Sequence, residues 1–173
     1  MKRLLAAGSA LGLFAHNAFE TRAGVGLVFE PFIGRRGAYA LWSAYFPLML
    51  AAAARDGENA RRLTAFSAGI GVAGVAVHFK AWPWSLHKGL PMLDEAEGLS
   101  EDQLPAYNAV LWFWLLCSLA SLAREAGPRS RRLGLIAGAV NFPILLVSAR
   151  HHFKWAREQA ELEPERWSPA LRE

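Results

Sequence analysis

Apolar residues gather in five long runs, and short segments rich in charge separate them. The runs are Leu4–Phe19, Ala38–Ala54, Leu63–Phe79, Pro105–Ala123 and Leu133–Ser148. A helix needs roughly 20 apolar residues to cross a bilayer, with about 17 as a lower limit. The pattern predicts an all-α polytopic membrane protein of about five transmembrane helices. We assign it one domain, residues 1–163, followed by a tail, residues 164–173.

The first run follows Met-Lys-Arg, as a signal peptide would, but no small-x-small cleavage site follows it. We therefore interpret it as a helix. Basic residues then set the orientation, because they favour cytoplasmic loops. An inner N-terminus collects Lys2, Arg3, Arg55, Arg61, Arg62, Arg124, Arg129, Arg131 and Arg132 inside, against Arg22, Arg35, Arg36, Lys80 and Lys88 outside. This predicts a cytoplasmic N-terminus and a C-terminus on the outer face of an inner membrane.

Two outer connections are longer than plain turns. Residues 21–37 are too apolar for a solvated loop and too broken by Gly and Pro for a crossing. We expect them to lie at the interface or to re-enter the membrane, where irregular backbone needs cover from protein. Residues 81–104 begin with a Trp pair suited to the headgroup level and continue as an acidic, solvated loop.

An internal repeat joins residues 38–82 to residues 106–155 at an offset of about 70 residues. Tyr39 matches Tyr107, Arg55 matches Arg124, and the ending HFKAW at 78–82 matches HFKW at 152–155. We interpret this as a duplicated helical hairpin, helices 2–3 and helices 4–5, in parallel orientation. Chance similarity in an Ala-rich and Arg-rich composition is the alternative, and it is stronger for the first helix, which shares only the basic start and a late His.

Composition supports a lipid environment, with 53% hydrophobic and 20% charged residues. The basic residues flank apolar runs and form no amphipathic face, so we do not expect nucleic-acid binding. One Cys forms neither a disulfide framework nor a thiolate metal site. Phosphate-loop, dinucleotide, nucleophile-elbow and HExxH motifs are lacking from the sequence.

Histidine is the candidate for chemistry. His16, His78, His151 and His152 lie near the predicted outer ends of three helices, and His87 lies in the outer loop. Ionisable groups in membrane segments are costly and point to function, and neutral imidazole is a common metal ligand. Glu20 follows His16 by one turn on the same face. The predicted metal ligands are His16, Glu20, His78 and His152, with His151 and His87 as alternatives.

A small residue precedes three of these histidines by four positions, namely Gly12, Gly74 and Ser148. Position i−4 lies one turn away on the same face, so the spacing leaves a flat space that suits haem or another tetrapyrrole. The same spacing also permits close helix packing without any ligand. The cofactor-binding set in the first interpretation is His16, His78, His152, Gly12, Gly74 and Ser148.

Three functions follow. The first is a haem-binding or tetrapyrrole-binding accessory or anchor subunit of a membrane redox complex. The second is a membrane enzyme with copper, iron or zinc, acting on a hydrophobic substrate. The third is a structural subunit without a cofactor, whose histidines anchor it at the interface. For all three functions, we expect the protein to contact the lipid bilayer and to assemble with a membrane protein partner or with a second copy of itself.

Overall fold

A computed structural model describes residues 2–172 and contains five long helices. They are α1 (Leu4–Ala23), α2 (Glu30–Ala54), α3 (Glu58–Ala81), α4 (Leu104–Arg124) and α5 (Pro128–Leu162), and two short strands, β1 (Trp84–His87) and β2 (Leu90–Leu93), precede α4. Proline occupies the first turn of α2, α4 and α5, where its missing N–H costs nothing and its fixed φ favours the helix. The prediction of a helical protein is confirmed.

Four helices are long and apolar enough to cross a membrane: α2, α3, α4 and α5. Their outward faces carry large apolar side chains, such as Ile136, Val140 and Ile144 on α5, each 55% exposed. Such a surface suits lipid better than water. The helix α1 lies outside this set, so the fifth span, the hairpin duplication and the orientation in the membrane stay predictions.

The helices pack through small residues. The helix α1 runs antiparallel to α4, with Gly8 against Cys117 and the hydroxyl of Ser9 2.8 Å from that of Ser118. The helices α3 and α5 run parallel and are in backbone contact at Gly69 and Gly134. Small side chains at these crossings let the helix axes approach closely.

Two charged side chains join helix ends at what we call the capping end of the bundle, defined by Arg3 and Glu125. The Arg3 guanidinium donates to the carbonyls of Ala52 and Arg55, at 2.9 and 2.5 Å. The Glu125 carboxylate accepts hydrogen bonds from the amides of Leu5 and Ala6, at 2.9 and 2.8 Å. The end of α2 and the start of α1 are thus capped by other parts of the chain.

Residues 21–37 are more helical than predicted. The helix α1 continues to Ala23 and α2 already begins at Glu30, so the connection between them is residues 24–29. The carboxylate of Glu30 accepts from the amide of Leu27 at 3.0 Å and steadies this short connection. A kink at Gly34, with φ 69° and ψ 166°, then redirects α2. Only glycine adopts that backbone conformation without strain.

The acidic connection before α4 contains a β-hairpin, which the sequence pattern did not predict. Strands β1 and β2 pair antiparallel around Lys88 and Gly89. Asn108 holds β2 against α4 by bonding both the amide and the carbonyl of Leu93, at 2.8 and 3.1 Å. The indole of Trp112 donates to the Pro91 carbonyl at 2.8 Å.

The chain beyond α5 folds back onto the connection between α1 and α2. Trp167 and Leu171 are buried with Val25, Phe153 and Ala156 in one apolar cluster. The amide of Ser168 donates to the Gly24 carbonyl at 3.0 Å. This cluster closes the end of the bundle opposite the capping end, which we call the histidine end because it holds His16, His78 and His152.

Candidate metal centre

Two histidines and one carboxylate meet between α1 and α3. His16 Nε2 lies 3.5 Å from Glu20 Oε2, and His78 Nε2 lies 3.8 Å from Glu20 Oε1. The two imidazole rings are 4.9 Å apart and nearly perpendicular. Both histidines are buried, with 6% and 8% of their surface exposed. The spacing of His16 and Glu20 was visible in the sequence, whereas the approach of His78 depends on the packing of α3.

Fixed hydrogen bonds orient two of these groups. The Tyr107 hydroxyl on α4 donates to Glu20 Oε1 at 2.7 Å, and Tyr107 is fully buried. The Nδ1 atom of His78 lies 2.6 Å from the carbonyl oxygen of Gly74. A carbonyl oxygen only accepts, so Nδ1 carries the hydrogen and Nε2 of the neutral ring presents its lone pair.

In the neutral form of His78, two acceptor atoms therefore face each other. The lone pair of His78 Nε2 and the Glu20 carboxylate lie across a gap of 3.8 Å, and the hydrogen of Tyr107 is already donated to that carboxylate. Two acceptors without a hydrogen between them repel. A cation placed between them, a metal ion or a proton, turns that repulsion into attraction.

The distances suit a metal ion. One ligand atom from each of His16, Glu20 and His78 lies within 4.8 Å of the others. Nitrogen and oxygen ligands at about 2.0–2.2 Å from a tetrahedral ion lie about 3.3–3.6 Å apart. The two separations here, 3.5 and 3.8 Å, run to different oxygens of Glu20 and reach slightly beyond that range. Two histidines and one carboxylate leave at least one coordination position for water or substrate.

The space beside the small residues is filled by Trp114. A Cβ atom on Gly12 would lie 2.6 Å from the Trp114 Cβ, and one on Gly74 would lie 2.7 Å from the far edge of its indole. The indole stacks on the His16 ring at 5.2 Å. The two glycines therefore make room for a side chain of α4, where the sequence suggested room for a macrocycle. Ser148, half-buried on α5, lies one turn before His152.

His152 is buried at the histidine end but is not part of the ligand group. Its Nε2 lies 3.1 Å from the Val25 carbonyl, so that nitrogen donates and Nδ1 is left as an acceptor. Among residues 2–172, the group within metal-binding distance is His16, Glu20 and His78. His152 thus holds the connection between α1 and α2 in place.

The two alternative histidines lie elsewhere. His87 is exposed on the β-hairpin, with its Nε2 3.0 Å from the Ser85 hydroxyl and 3.4 Å from Asp94. His151 is exposed on α5 and contacts the ring of Phe32 at 5.1 Å. Neither approaches the group formed by His16, Glu20 and His78.

A cavity of about 550 Å³ adjoins this group, between α1, α2, α3 and α5. Glu20, both histidines and His152 line it together with mostly apolar side chains. Buried polar atoms are usually hydrogen-bonded. In the described part of the chain three buried side-chain nitrogens have no partner, and all belong to residues of this cavity: His16 Nδ1, Trp42 Nε1 and His152 Nδ1.

Comparison with protein families, curated proteins and solved structures finds no match to this chain. The functional argument therefore depends on the site itself. Tyr107 and Trp114, its two partners from α4, were not singled out by the sequence. The only signal of Tyr107 was its match to Tyr39 in the repeat.

Proposed function

We propose that this protein is a membrane metalloprotein that binds one copper, iron or zinc ion at His16, Glu20 and His78 and acts on a hydrophobic substrate in the adjoining cavity. The observation that carries the proposal is the convergence of two imidazole nitrogens and one carboxylate oxygen within 4.8 Å of one another in a buried gap. His78 is held by Gly74 with its Nε2 lone pair towards Glu20, and Tyr107 orients the carboxylate. Hydrogen-bond partners of this kind orient the side chains that bind the metal at metal centres.

The ligand number favours a reactive ion over a structural one. Structural zinc sites are closed by four protein ligands, whereas catalytic sites keep a position open. Here three protein groups converge and a cavity lies beside them. A cavity of about 550 Å³ falls in the range of roughly 300–1,000 Å³ that small-molecule sites occupy. Its apolar walls favour a substrate that partitions into lipid.

The haem interpretation has less support than a single ion. It relied on open space beside Gly12 and Gly74, and Trp114 fills that space. It also relied on His152 as a ligand, and the Nε2 of His152 is used by the Val25 carbonyl. A role as a partner subunit in a larger membrane complex does not conflict with the metal proposal.

The test is metal analysis of the full chain, purified in mild detergent without chelators, together with an absorption spectrum. We expect close to one equivalent of copper, iron or zinc per chain and no Soret band. His16→Ala, Glu20→Gln and His78→Ala should each lose the metal. His87→Ala and His151→Ala are matched controls, because both side chains are exposed and distant from the group.

Three results would overturn the proposal. If the wild-type protein is metal-free and takes up no ion on titration, the cation between His78 and Glu20 is a proton and not a metal. Metal loss in the His87 or His151 control places the ion elsewhere. A Soret band that disappears in the His16 and His78 variants restores the haem interpretation.

A further inference from the structure

The cavity beside the metal group has an unequal distribution of charge. Its body is apolar, with Leu13, Leu41, Ile70, Val77, Leu145 and Leu146 on four different helices. Three cationic side chains also reach its wall, namely Lys80, Arg150 and Arg157. The wall thus combines a long apolar surface with concentrated positive charge.

Within the part of the chain that the structure describes, one of these three cations has a carboxylate partner. Arg157 forms an ion pair with Glu97, and both line the cavity. Within residues 2–172, no carboxylate oxygen lies within 4 Å of the charged nitrogens of Lys80 or Arg150. Glu20, the remaining acidic group of the wall, faces His16 and His78. Lys80 and Arg150 are therefore two cationic groups of the cavity wall without a carboxylate partner among the described residues.

Position in the fold gives these two cations a shared role. Lys80 lies in the last turn of α3 and Arg150 lies on α5, and these two helices pack against each other. Both residues are exposed, so their side chains are accessible to a ligand that enters the cavity. Arg150 lies one turn beyond Leu146, with Phe153 and Arg157 further along the same cavity-lining face.

We infer that the cavity binds a single-chain anionic amphiphile, whose carboxylate or phosphate head lies between Lys80 and Arg150 and whose chain extends along the apolar wall. The inference deepens the proposed function, because such a chain would pass beside His16 and His78. Cationic side chains recognise both head groups through charge-assisted hydrogen bonds. A head group supplied by a bilayer phospholipid is the competing source.

Tryptophan fluorescence tests this directly, because Trp42, Trp82 and Trp114 all line the cavity and bromine quenches indole on contact. The full chain in nonionic detergent is titrated with 12-bromododecanoic acid and with 12-bromododecanol, which has the same chain and no charge. Ion pairs of exposed cations are weak, so we expect the acid to bind about tenfold more tightly than the alcohol, which corresponds to about 1.4 kcal/mol.

Variants assign that preference to the two cations. The double variant Lys80→Gln, Arg150→Gln should bind the acid and the alcohol equally well. Each single variant should bind the acid about threefold more tightly than the alcohol, which is half of the tenfold preference on a logarithmic scale. Lys88→Gln with Lys154→Gln is the matched control, because both residues are exposed and neither lines the cavity. That control should keep the full preference. The wild-type protein should keep the preference after its metal is removed with a chelator, which separates a failure of this inference from a failure of the metal proposal.

Equal binding of acid and alcohol to the wild-type protein would overturn the inference. So would a preference that survives in the Lys80 and Arg150 double variant. A chain-brominated phospholipid distinguishes the two sources. If it quenches the cavity tryptophans and the single-chain acid does not displace it, the head group comes from the bilayer and the inference is wrong.

Discussion

Glu125 caps a helix to which it does not belong, and its replacement gives a stability change that the structure allows us to work out. The amides of Leu5 and Ala6 both donate to this carboxylate. The start of α1 has no side-chain cap of its own. Glu125→Ala therefore leaves two amides of α1 without their acceptor.

The expected cost follows from the two bonds and the charge. Loss of one N-terminal capping acceptor costs about 0.5–2 kcal/mol, and a carboxylate at a helix N-terminus contributes about 0.3–1 kcal/mol more. Since two amides lose their acceptor at a half-buried position, we expect the free energy of unfolding to fall by about 2–4 kcal/mol. Glu125→Gln keeps one oxygen acceptor but no charge, so it should lose about half as much.

The assay is reversible unfolding of the full chain in mixed micelles, with SDS titrated into a mild detergent and helix content followed by circular dichroism. Glu163→Ala is the control, because Glu163 forms a surface ion pair with Arg166, and surface pairs contribute about 0–1 kcal/mol. If Glu125→Ala unfolds within 0.5 kcal/mol of the wild-type protein, α1 is not held by this carboxylate. If Glu125→Gln is as unstable as Glu125→Ala, charge alone decides and the two-bond reasoning is wrong.

Two further changes test the site. Tyr107→Phe removes the hydroxyl that orients Glu20, so metal affinity measured by competitive titration should fall about 10- to 100-fold. Tyr39→Phe on α2 is the control. If Tyr107→Phe binds metal as tightly as the wild-type protein, Tyr107 is not part of the site. Gly12→Leu places a side chain against the Cα and Cβ of Trp114, which should lower the free energy of unfolding by at least about 1–3 kcal/mol. The control Ala18→Leu, on the exposed face of α1, should stay within about 0.5 kcal/mol of the wild-type protein. Equal effects of the two substitutions would contradict the packing of Gly12 against Trp114.

The sequence predicted what local pattern determines. Long apolar runs predicted the helices, because burial in lipid or in a helical core requires them at that length. The pair formed by His16 and Glu20 was predicted because residues four apart share a face of one helix. The boundaries of the connection between α1 and α2 were harder, because Pro31 and Gly34 read as breaks, whereas Pro31 starts a helix and Gly34 bends it.

What pattern did not reveal depends on contacts between distant residues. The sequence suggested space for a ligand beside Gly12 and Gly74, and nothing local indicates that Trp114, about 100 and 40 residues away along the chain, fills it. Glu125 looks like an ordinary loop charge until α1 packs beside it. The approach of His78 to Glu20 likewise requires the packing of α3 against α1.

The contact between Val25 and the segment around Trp167 has a consequence for the synthesis of the protein. Val28 and Phe29, which line the cavity, lie in a connection that packs beneath Trp167 and Leu171. The ribosome makes Trp167 and Leu171 roughly 7 to 30 s after Val25 at ordinary elongation rates. For that interval the connection between α1 and α2 is without its cover, even if every helix is already in the membrane. A chain stopped before Trp167 would thus present assembled helices with Val25 uncovered by Trp167 and Leu171, and a protease or chaperone could distinguish it from a chain that contains both residues.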